Sequence, residues 1–177
     1  MEKHKLGIED ERFIRGDIPM TKREIRMAVI AEANLSIDSH VLDIGAGTGS
    51  ISIEAALAAP QGQVWAIEKE AEGIKLIKEN MEKFAVTNIQ VIEGLAPEAM
   101  ESVGNSLDAV IIGGSGGNLE SILDQSGNLL KIGGRIIVTA VTTGTVDRAT
   151  RYFGEKKEQY RFWGYQTAVT RLRPAGR

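Results

Sequence analysis

The sequence predicts an α/β fold built on a doubly wound, mostly parallel sheet, and two observations support that prediction. Five short runs rich in β-branched residues are spaced along the chain, and segments whose apolar residues return at helical spacing lie between them. The runs are apolar at consecutive positions, as expected for strands that are buried on both faces. We therefore expect helices on both sides of the sheet, joined by right-handed crossovers.

The expected elements follow in chain order. A capping-box pattern at 21–24 predicts a first helix to about Ala33, with Ile25, Ala28 and Val29 on its inner face. Strands are expected at 41–44, 64–67, 89–92, 107–112 and 136–141. Helices are expected between and after them at 50–59, 71–84, 97–102, 118–130 and 145–158. The aromatic and threonine content of 162–170 predicts a sixth strand.

Length and composition limit the class of protein. With 177 residues the chain is expected to form one domain, with 1–38 as a helical extension and lid and 39–177 as the core. Hydrophobic residues make up 42% and charged residues 25%, which excludes a disordered chain. Cysteine is absent, which excludes a disulfide framework, a cysteine-ligated metal and a cysteine nucleophile. No cluster of metal ligands stands out, so no metal site is predicted.

The two ends of the chain bear on location and partners. The N-terminus shows no apolar leader region, and no window approaches ~18 consecutive apolar residues, so a cytoplasmic protein without a membrane partner is expected. Residues 1–146 contain 13 Lys and Arg against 21 Asp and Glu, whereas residues 147–177 contain 8 against 3. The basic end is either a solvated surface or a face that binds an anion such as nucleic acid or a polycarboxylate.

The turn after the first strand is the most specific feature of the sequence. Asp43 is followed by Gly45, Gly47 and Gly49 where the strand enters an alanine-rich helix. Glycines there let a ligand approach the backbone, and the helix N-terminus offers free N–H groups. Dinucleotide-binding turns place the third glycine one residue later, where this chain has Ser50. The pattern resembles the first motif of the Rossmann-like class I S-adenosylmethionine-dependent methyltransferases; a turn without a ligand is the alternative.

Two further segments fit a nucleotide site. Glu68 ends the second strand, near the offset of ~20 residues from the glycine turn at which an acid binds ribose hydroxyls. The alternative for this glutamate is a solvated helix start. Leu95 and Ala96 follow the third strand, where methyltransferases of this class frame the adenine, often with an aspartate. Because this chain has Leu95 there, the expected adenine contact is apolar or made through the backbone.

The loop after the fourth strand is the expected substrate side. Residues 113–117 read Gly-Gly-Ser-Gly-Gly, which either offers N–H donors and space to a large flat substrate or forms a bare flexible loop. Methyltransferases that act on base or amide nitrogens often have Asn/Asp-Pro-Pro-Tyr at this place, and this chain does not.

A closer resemblance rests on five segments taken together. They are 16–26 (GDIPMTKREIR), 43–50 (DIGAGTGS), 66–68 (AIE), 93–99 (EGLAPEA) and 112–117 (IGGSGG). With these segments the chain resembles the decarboxylating cobalt-precorrin C-15 methyltransferases of cobalamin biosynthesis, over roughly residues 7–176. The resemblance implies S-adenosylmethionine as methyl donor, a corrin precursor methylated at C-15, loss of carbon dioxide from its C-12 acetate, and a homotetramer.

The same resemblance implies which residues form the site. The cofactor would be bound by Thr21, Gly45, Ala46, Gly47, Thr48, Gly49, Glu68, Leu95 and Ala96. The substrate would meet Lys22, Gly113, Gly114, Ser115 and Gly116, and Arg148, Arg151, Arg171 and Arg173 could hold its carboxylates. No catalytic residue is identified, because the sulfonium methyl group is already activated. The family continues past an element like 173–177 into a last strand that this chain lacks, so an incomplete sheet is expected.

Other function classes stay open at this point. A methyltransferase for RNA or a protein carboxylate would share the cofactor site, and RNA binding would show a steep dependence on salt. The overall acidity and the missing cysteine argue against most nucleic-acid substrates, so nucleic acid is not expected as a partner. A non-catalytic nucleotide-binding or scaffold subunit, or a dinucleotide oxidoreductase, would belong to the same fold class.

Overall fold

A single parallel sheet between two layers of helices forms the centre of the molecule. The computed structural model describes residues 6–172. Its strands are β1 (His40–Ile44), β2 (Gln63–Glu68), β3 (Ile89–Glu93), β4 (Leu107–Ile112) and β5 (Leu130–Val138). They lie in the order β3-β2-β1-β4-β5, and every pair of neighbours is parallel. The predicted doubly wound α/β class is confirmed.

Helices cover both faces of this sheet. The α-helices are α1 (Arg23–Ala33), α2 (Ser50–Ala58), α3 (Ala71–Lys83), α4 (Leu119–Leu129) and α5 (Thr143–Glu155), and short 3-10 helices span Asp10–Arg12 and Glu98–Ser102. Successive strand residues point to opposite faces. Val41 therefore packs in the core under α1, α2 and α3, whereas Leu42 packs in the core under α4 and α5. Within residues 6–172 no helix is long and apolar enough to cross a membrane.

Three predicted elements differ from the structure. The segment predicted as a helix at 97–102 is a 3-10 turn, and β5 begins at Leu130 and ends at Val138 rather than spanning 136–141. The predicted sixth strand at 162–170 is wrong, because residues 160–172 have no regular secondary structure. Strand propensity is realised only through pairing, and this segment does not pair with β5, the edge strand nearest to it in sequence.

The start of α1 also differs from the prediction. The helix begins at Arg23, and its N-cap residue Lys22 makes no side-chain capping bond, so the capping box at 21–24 does not form. Asp10 caps the helix instead, since its Oδ1 accepts a hydrogen bond from Arg23 N at 2.9 Å. The buried face is shifted from the predicted one and consists of Arg26, Val29, Ile30 and Ala33.

Candidate functional site

The turn between β1 and α2, residues 45–49, is named the glycine loop and lies where the strand order reverses. The N–H groups of its first two residues both donate to Ile67 O in β2, at 2.9 and 3.1 Å. Gly113, which follows β4, donates its N–H to Ile44 O at 2.9 Å. Open parallel sheets bind ligands outside the carboxyl ends of their strands at such a switch point. The structure thus brings the predicted segments after β1, β2 and β4 to a ligand-binding position.

The glycine loop requires glycine on steric grounds. Gly45, Gly47 and Gly49 have φ values of +72°, +58° and +74°, in the left-handed region that other residues rarely adopt. A Cβ on Gly45 would lie 2.8 Å from the N atom of Gly114 and 3.0 Å from its Cα. The two loops therefore meet backbone to backbone, with no room for a side chain between them.

Glu68 holds the glycine loop against the end of β2. Its side chain is only 7% exposed, so it is not the solvated helix start of the alternative interpretation. Oε2 accepts a hydrogen bond from Gly47 N at 2.7 Å, and Oε1 accepts bonds from Lys69 N and Glu70 N at 2.8 and 2.9 Å. A carboxylate oxygen can accept two hydrogen bonds. Oε2 therefore keeps a lone pair with which it could accept a ligand hydroxyl.

Thr48 gives an independent indication of a ligand. Its Oγ1 is buried and has no hydrogen-bond partner within residues 6–172. Buried side-chain polar atoms nearly always have a partner, so this hydroxyl is suited to bond a bound molecule. The N–H groups of Gly45, Ala46, Gly47 and Gly49 already donate within the chain, so the loop offers the Thr48 hydroxyl and a closely approachable backbone, and Glu68 offers an acceptor. A hydroxyl beside a carboxylate acceptor fits a ligand with a ribose, as the predicted cofactor has.

The loops after β3 and β4 meet beside the glycine loop. Leu95 packs against Gly116, where a Cβ would lie 2.9 Å from Leu95 Cδ1. Asn118 Nδ2 donates to Ala96 O at 3.5 Å and adds a weak polar link between the two loops. Leu95 is 41% exposed, so it presents methyl groups where an aspartate would present a carboxylate. The predicted cofactor segment and the predicted substrate loop are therefore direct neighbours.

Residues 14–21, named the strap, cross over the glycine loop from the N-terminal side. A Cβ on Gly47 would lie 3.4 Å from Pro19 O and 3.5 Å from Ile18 Cγ2. The strap ends at Thr21, whose carbonyl accepts a hydrogen bond from Arg26 Nη1 at 2.5 Å. Thr21 thus ends the segment that crosses the glycine loop.

A fully buried ion cluster anchors this side of the molecule. Arg26 is 0% exposed and pairs with Asp10 Oδ1 at 2.8 Å and with Glu54 Oε1 at 2.9 Å. Glu54 also accepts the backbone N–H groups of Gly7 and Ile8, at 2.9 and 3.1 Å. The cluster ties the N-terminal segment, α1 and α2 together beneath the strap.

Sequence reasoning missed several buried polar residues, and for two of them, Arg26 and Asn80, a signal was present. Arg26 begins the helical series 26, 29, 30 and 33, whose other members are apolar and buried. Asn80 is likewise 0% exposed and ends the buried series 73, 76, 77 and 80 in α3. A polar residue within an apolar helical face indicates a buried polar contact, since such a group must be satisfied.

Three of the four C-terminal arginines predicted to hold substrate carboxylates are already paired within the chain. Arg148 pairs with Glu120, Arg151 with Asp147, and Arg171 with Glu24 and Asp10. The bond from Arg148 lowers the pKa of Glu120 to about 2. These arginines do not form a free cationic surface, and Arg173 lies outside the described residues. Lys22 is exposed and makes no ion pair within residues 6–172, so it stays available to a substrate carboxylate.

Asp43 lies at the end of β1, directly before the glycine loop. Its side chain is 1% exposed, and Oδ2 accepts a hydrogen bond from Ser52 Oγ at 2.5 Å. Burial raises the pKa of Asp43 to about 6, and the negative charge of Glu68 adds to that increase while the Ser52 bond opposes it. The ionised carboxylate is therefore destabilised in the folded chain.

Asp43→Asn is expected to change the pH dependence of stability. Between the ordinary pKa of 3.8 and about 6, the folded chain keeps a proton that the unfolded chain has lost. The free energy of unfolding of the wild type should fall relative to Asp43→Asn by about 3 kcal/mol as pH rises from about 3 to about 7, with most of the change between about pH 4 and 6, and then level off. Urea unfolding of both proteins across this range measures the difference; a difference that does not vary with pH would contradict the expectation.

The strand order and the acid at the end of β2 are those of a nucleotide-binding α/β fold, and the glycine spacing at 45–49 places this fold with the class I methyltransferases. A family model described as a precorrin methyltransferase domain matches residues 12–161. The chain belongs to this family.

Named relatives agree with that assignment. The chain is 48% identical over 165 residues to the probable cobalt-precorrin-6B C(15)-methyltransferase (decarboxylating) of Sulfurisphaera tokodaii, covering 92% of this chain and 82% of the relative. It is 42% identical over 135 residues to the cobalt-precorrin-6B C(15)-methyltransferase (decarboxylating) of Salmonella typhimurium, covering 76% and 69%. The crystal structure of precorrin-6y C5,15-methyltransferase from Geobacter metallireducens superposes with a TM-score of 0.81 at 36% identity, over 85% of this chain and 80% of that one.

Proposed function

We propose that this chain is a decarboxylating methyltransferase of cobalamin biosynthesis that uses S-adenosylmethionine to methylate cobalt-precorrin-6B at C-15. The observation that carries the proposal is the bond from Gly47 N to Glu68 Oε2, which joins the glycine loop and the end of β2 into one nucleotide-type site. The names of relatives at 48% and 42% identity support the choice of substrate.

The cofactor would be held by residues that the fold already groups. The glycine loop would supply close backbone contact and the Thr48 hydroxyl, Glu68 would accept the ribose hydroxyls, and Leu95 with Ala96 would lie along the adenine. Thr21 would contact the cofactor from the strap. When bound, S-adenosylmethionine supplies an electrophilic methyl group on its sulfonium sulfur.

The protein's part in the reaction is alignment and exclusion of water. An electron-rich ring carbon needs to be held in line with the methyl group, and a strong general base is not required for that step. The exposed glycines of residues 113–116 would accept one face of the flat macrocycle. Lys22 would bind one of its carboxylates. Loss of carbon dioxide from an acetate side chain leaves an electron pair that the conjugated ring can accept.

We also propose that the protein is cytoplasmic and assembles as a homotetramer. The exposed aromatic side chains of Phe162, Trp163 and Tyr165 support an assembly, since a neighbouring chain would cover them.

Calorimetric titration with S-adenosylhomocysteine tests the cofactor site. We expect the wild type to bind and Glu68→Gln to bind at least tenfold more weakly, because an amide has one acceptor oxygen where the carboxylate has two. Glu70→Gln is the matched control, since Glu70 is exposed and pairs only with the exposed Lys69 among the described residues. Equal affinity of Glu68→Gln and wild type would contradict the proposed cofactor site.

Substrate identity needs a second measurement on the wild type. Incubation with cobalt-precorrin-6B and S-adenosylmethionine should give a product that has gained a methyl group and lost carbon dioxide by mass spectrometry. Binding of a nicotinamide cofactor in place of S-adenosylhomocysteine would favour the oxidoreductase alternative. Cofactor binding with methyl transfer to RNA instead of the corrin would favour the RNA alternative.

A further inference from the structure

Asn80 connects three parts of the molecule that lie far apart in sequence. It belongs to α3, and its side chain is fully buried. Its Oδ1 accepts a hydrogen bond from Ile14 N at 2.8 Å, and its Nδ2 donates to Ile14 O at 3.0 Å. The same Nδ2 donates to Thr48 O at 3.0 Å. One amide therefore bonds the first residue of the strap on both backbone groups and the glycine loop on a third.

Two of the hydrogen bonds of Asn80 hold the first residue of the strap, and the strap then passes over the glycine loop. From Ile14 at Asn80, the strap runs back along α3 to Asp17, whose N–H donates to Glu72 Oε1 at 2.8 Å. It then crosses Gly47 through Pro19 and Ile18. The Glu72 contact is exposed, whereas the Asn80 contact is buried. The strap is thus held by a buried contact at Ile14, by an exposed contact at Asp17, and at its far end by the bond from Arg26 to Thr21 O.

An asparagine suits position 80 because its side chain carries the number of hydrogen-bond donors and acceptors that the neighbouring backbone groups need. A primary amide supplies two N–H donors and a carbonyl acceptor, which matches the N–H and carbonyl of Ile14 and the carbonyl of Thr48. An apolar side chain of the same size would leave all three backbone groups without these partners. A carboxylate would keep the acceptor for Ile14 N but would face two carbonyl oxygens.

We propose that Asn80 is a positioning residue that sets the strap and the glycine loop in register with each other, so that both contact the cofactor together. Asn80 touches neither cofactor nor substrate in this arrangement and acts through Ile14 and Thr48. The inference rests on the proposed cofactor site. It predicts that strap order and cofactor affinity are linked through one buried amide.

Asn80→Leu tests the inference by removing the three hydrogen bonds at similar volume. We expect its affinity for S-adenosylhomocysteine, measured by calorimetry, to fall at least tenfold. Asn88→Leu is the matched control, because Asn88 Nδ2 also donates to backbone carbonyls, those of Ala56, Ala59 and Gly62, but at the opposite end of the sheet from the glycine loop. Both variants should lose stability, and only the first should lose affinity.

Hydrogen exchange separates positioning from a general loss of stability. In the wild type, S-adenosylhomocysteine should protect the amides of residues 14–21; in Asn80→Leu the same saturation with ligand should leave them exchanging freely. Should Asn80→Leu fail to fold, Asn80→Asp replaces it, with a smaller loss expected in the same direction. Wild-type affinity in a folded Asn80 variant would overturn the inference alone. Failure of the wild type to bind S-adenosylhomocysteine would overturn the proposed function and this inference with it.

Discussion

Arg26→Met is expected to lower the free energy of unfolding by about 3–5 kcal/mol, the usual loss when one partner of a buried ion pair is removed. Arg26 is fully buried and pairs with Asp10 and Glu54, whose side chains are 2% and 0% exposed. Without the guanidinium, two carboxylates remain in a region that water does not reach. Their remaining bonds come from backbone N–H groups and Arg171, which cannot replace both contacts.

Arg151→Met is the control for this prediction, since it removes an arginine from an exposed i,i+4 pair with Asp147. Exposed pairs contribute less than about 1 kcal/mol, so this variant should unfold close to the wild type. Urea titrations of the three proteins at neutral pH supply the comparison. Similar losses for both variants would show that burial of Arg26 is not what stabilises this region.

The pKa of Asp10 adds a check on the same cluster. Burial alone would raise the pKa of this carboxyl, but hydrogen bonds from Arg26 and Arg171 outweigh burial and lower it. A lowered pKa means that the stabilisation is present above the ordinary value of 3.8 and is lost as pH falls through the folded-state value. The difference in stability between wild type and Arg26→Met should therefore shrink under strongly acidic conditions.

Gly45→Ala is expected to weaken S-adenosylhomocysteine binding by more than a hundredfold. The new Cβ would lie 2.8 Å from Gly114 N and 3.0 Å from both Cα and O of that residue, and all of these atoms are backbone. One of the two loops must move. In addition, φ at this position is +72°, which costs an alanine about 1–2 kcal/mol. Since the cofactor would be bound by the backbone of the displaced loop, affinity should fall much more than stability.

Gly154→Ala is the control for the glycine loop. Gly154 lies near the end of α5, and a Cβ there would meet nothing within 4 Å. Alanine is a better helix former than glycine by about 0.8–1 kcal/mol, so this variant should be as stable as the wild type or more so, with unchanged affinity. Calorimetry and thermal unfolding measure both quantities. Unchanged affinity in Gly45→Ala would mean that the glycine loop does not bind the cofactor.

Most of the sheet could be predicted because its signals are local. Leu107–Ile112 is a run of consecutive apolar residues with one aspartate, and it forms β4 with the predicted bounds. The segment 162–170 has comparable strand propensity but forms no strand, because propensity is realised only where a partner strand offers hydrogen bonds. The capping box at 21–24 failed for a similar reason. Asp10, 13 residues away, accepts the bond from Arg23 N, and the Glu24 carboxylate that the box needs pairs with Arg171 instead.

In the candidate site, too, the residues of a sequence motif could be predicted, whereas contacts between distant residues could not. The glycine loop and Glu68 were recognisable from spacing, and the structure joins them through Gly47 N. The ion pairs of the C-terminal arginines could not be predicted, because a count of charges does not show that Glu120, Asp147 and Glu24 lie within reach of them.

The α/β class, the glycine turn with its following acid, and the resemblance to precorrin methyltransferases could all be predicted from the amino-acid sequence, because they depend on residue order over short distances. The burial of Arg26 and Asn80 and the crossing of the strap over Gly47 are seen only in the folded chain. A polar side chain is stable in the interior only when its partners surround it. Those partners, Glu54 for Arg26 and Thr48 for Asn80, are brought into place by the packing of separate helices on the sheet.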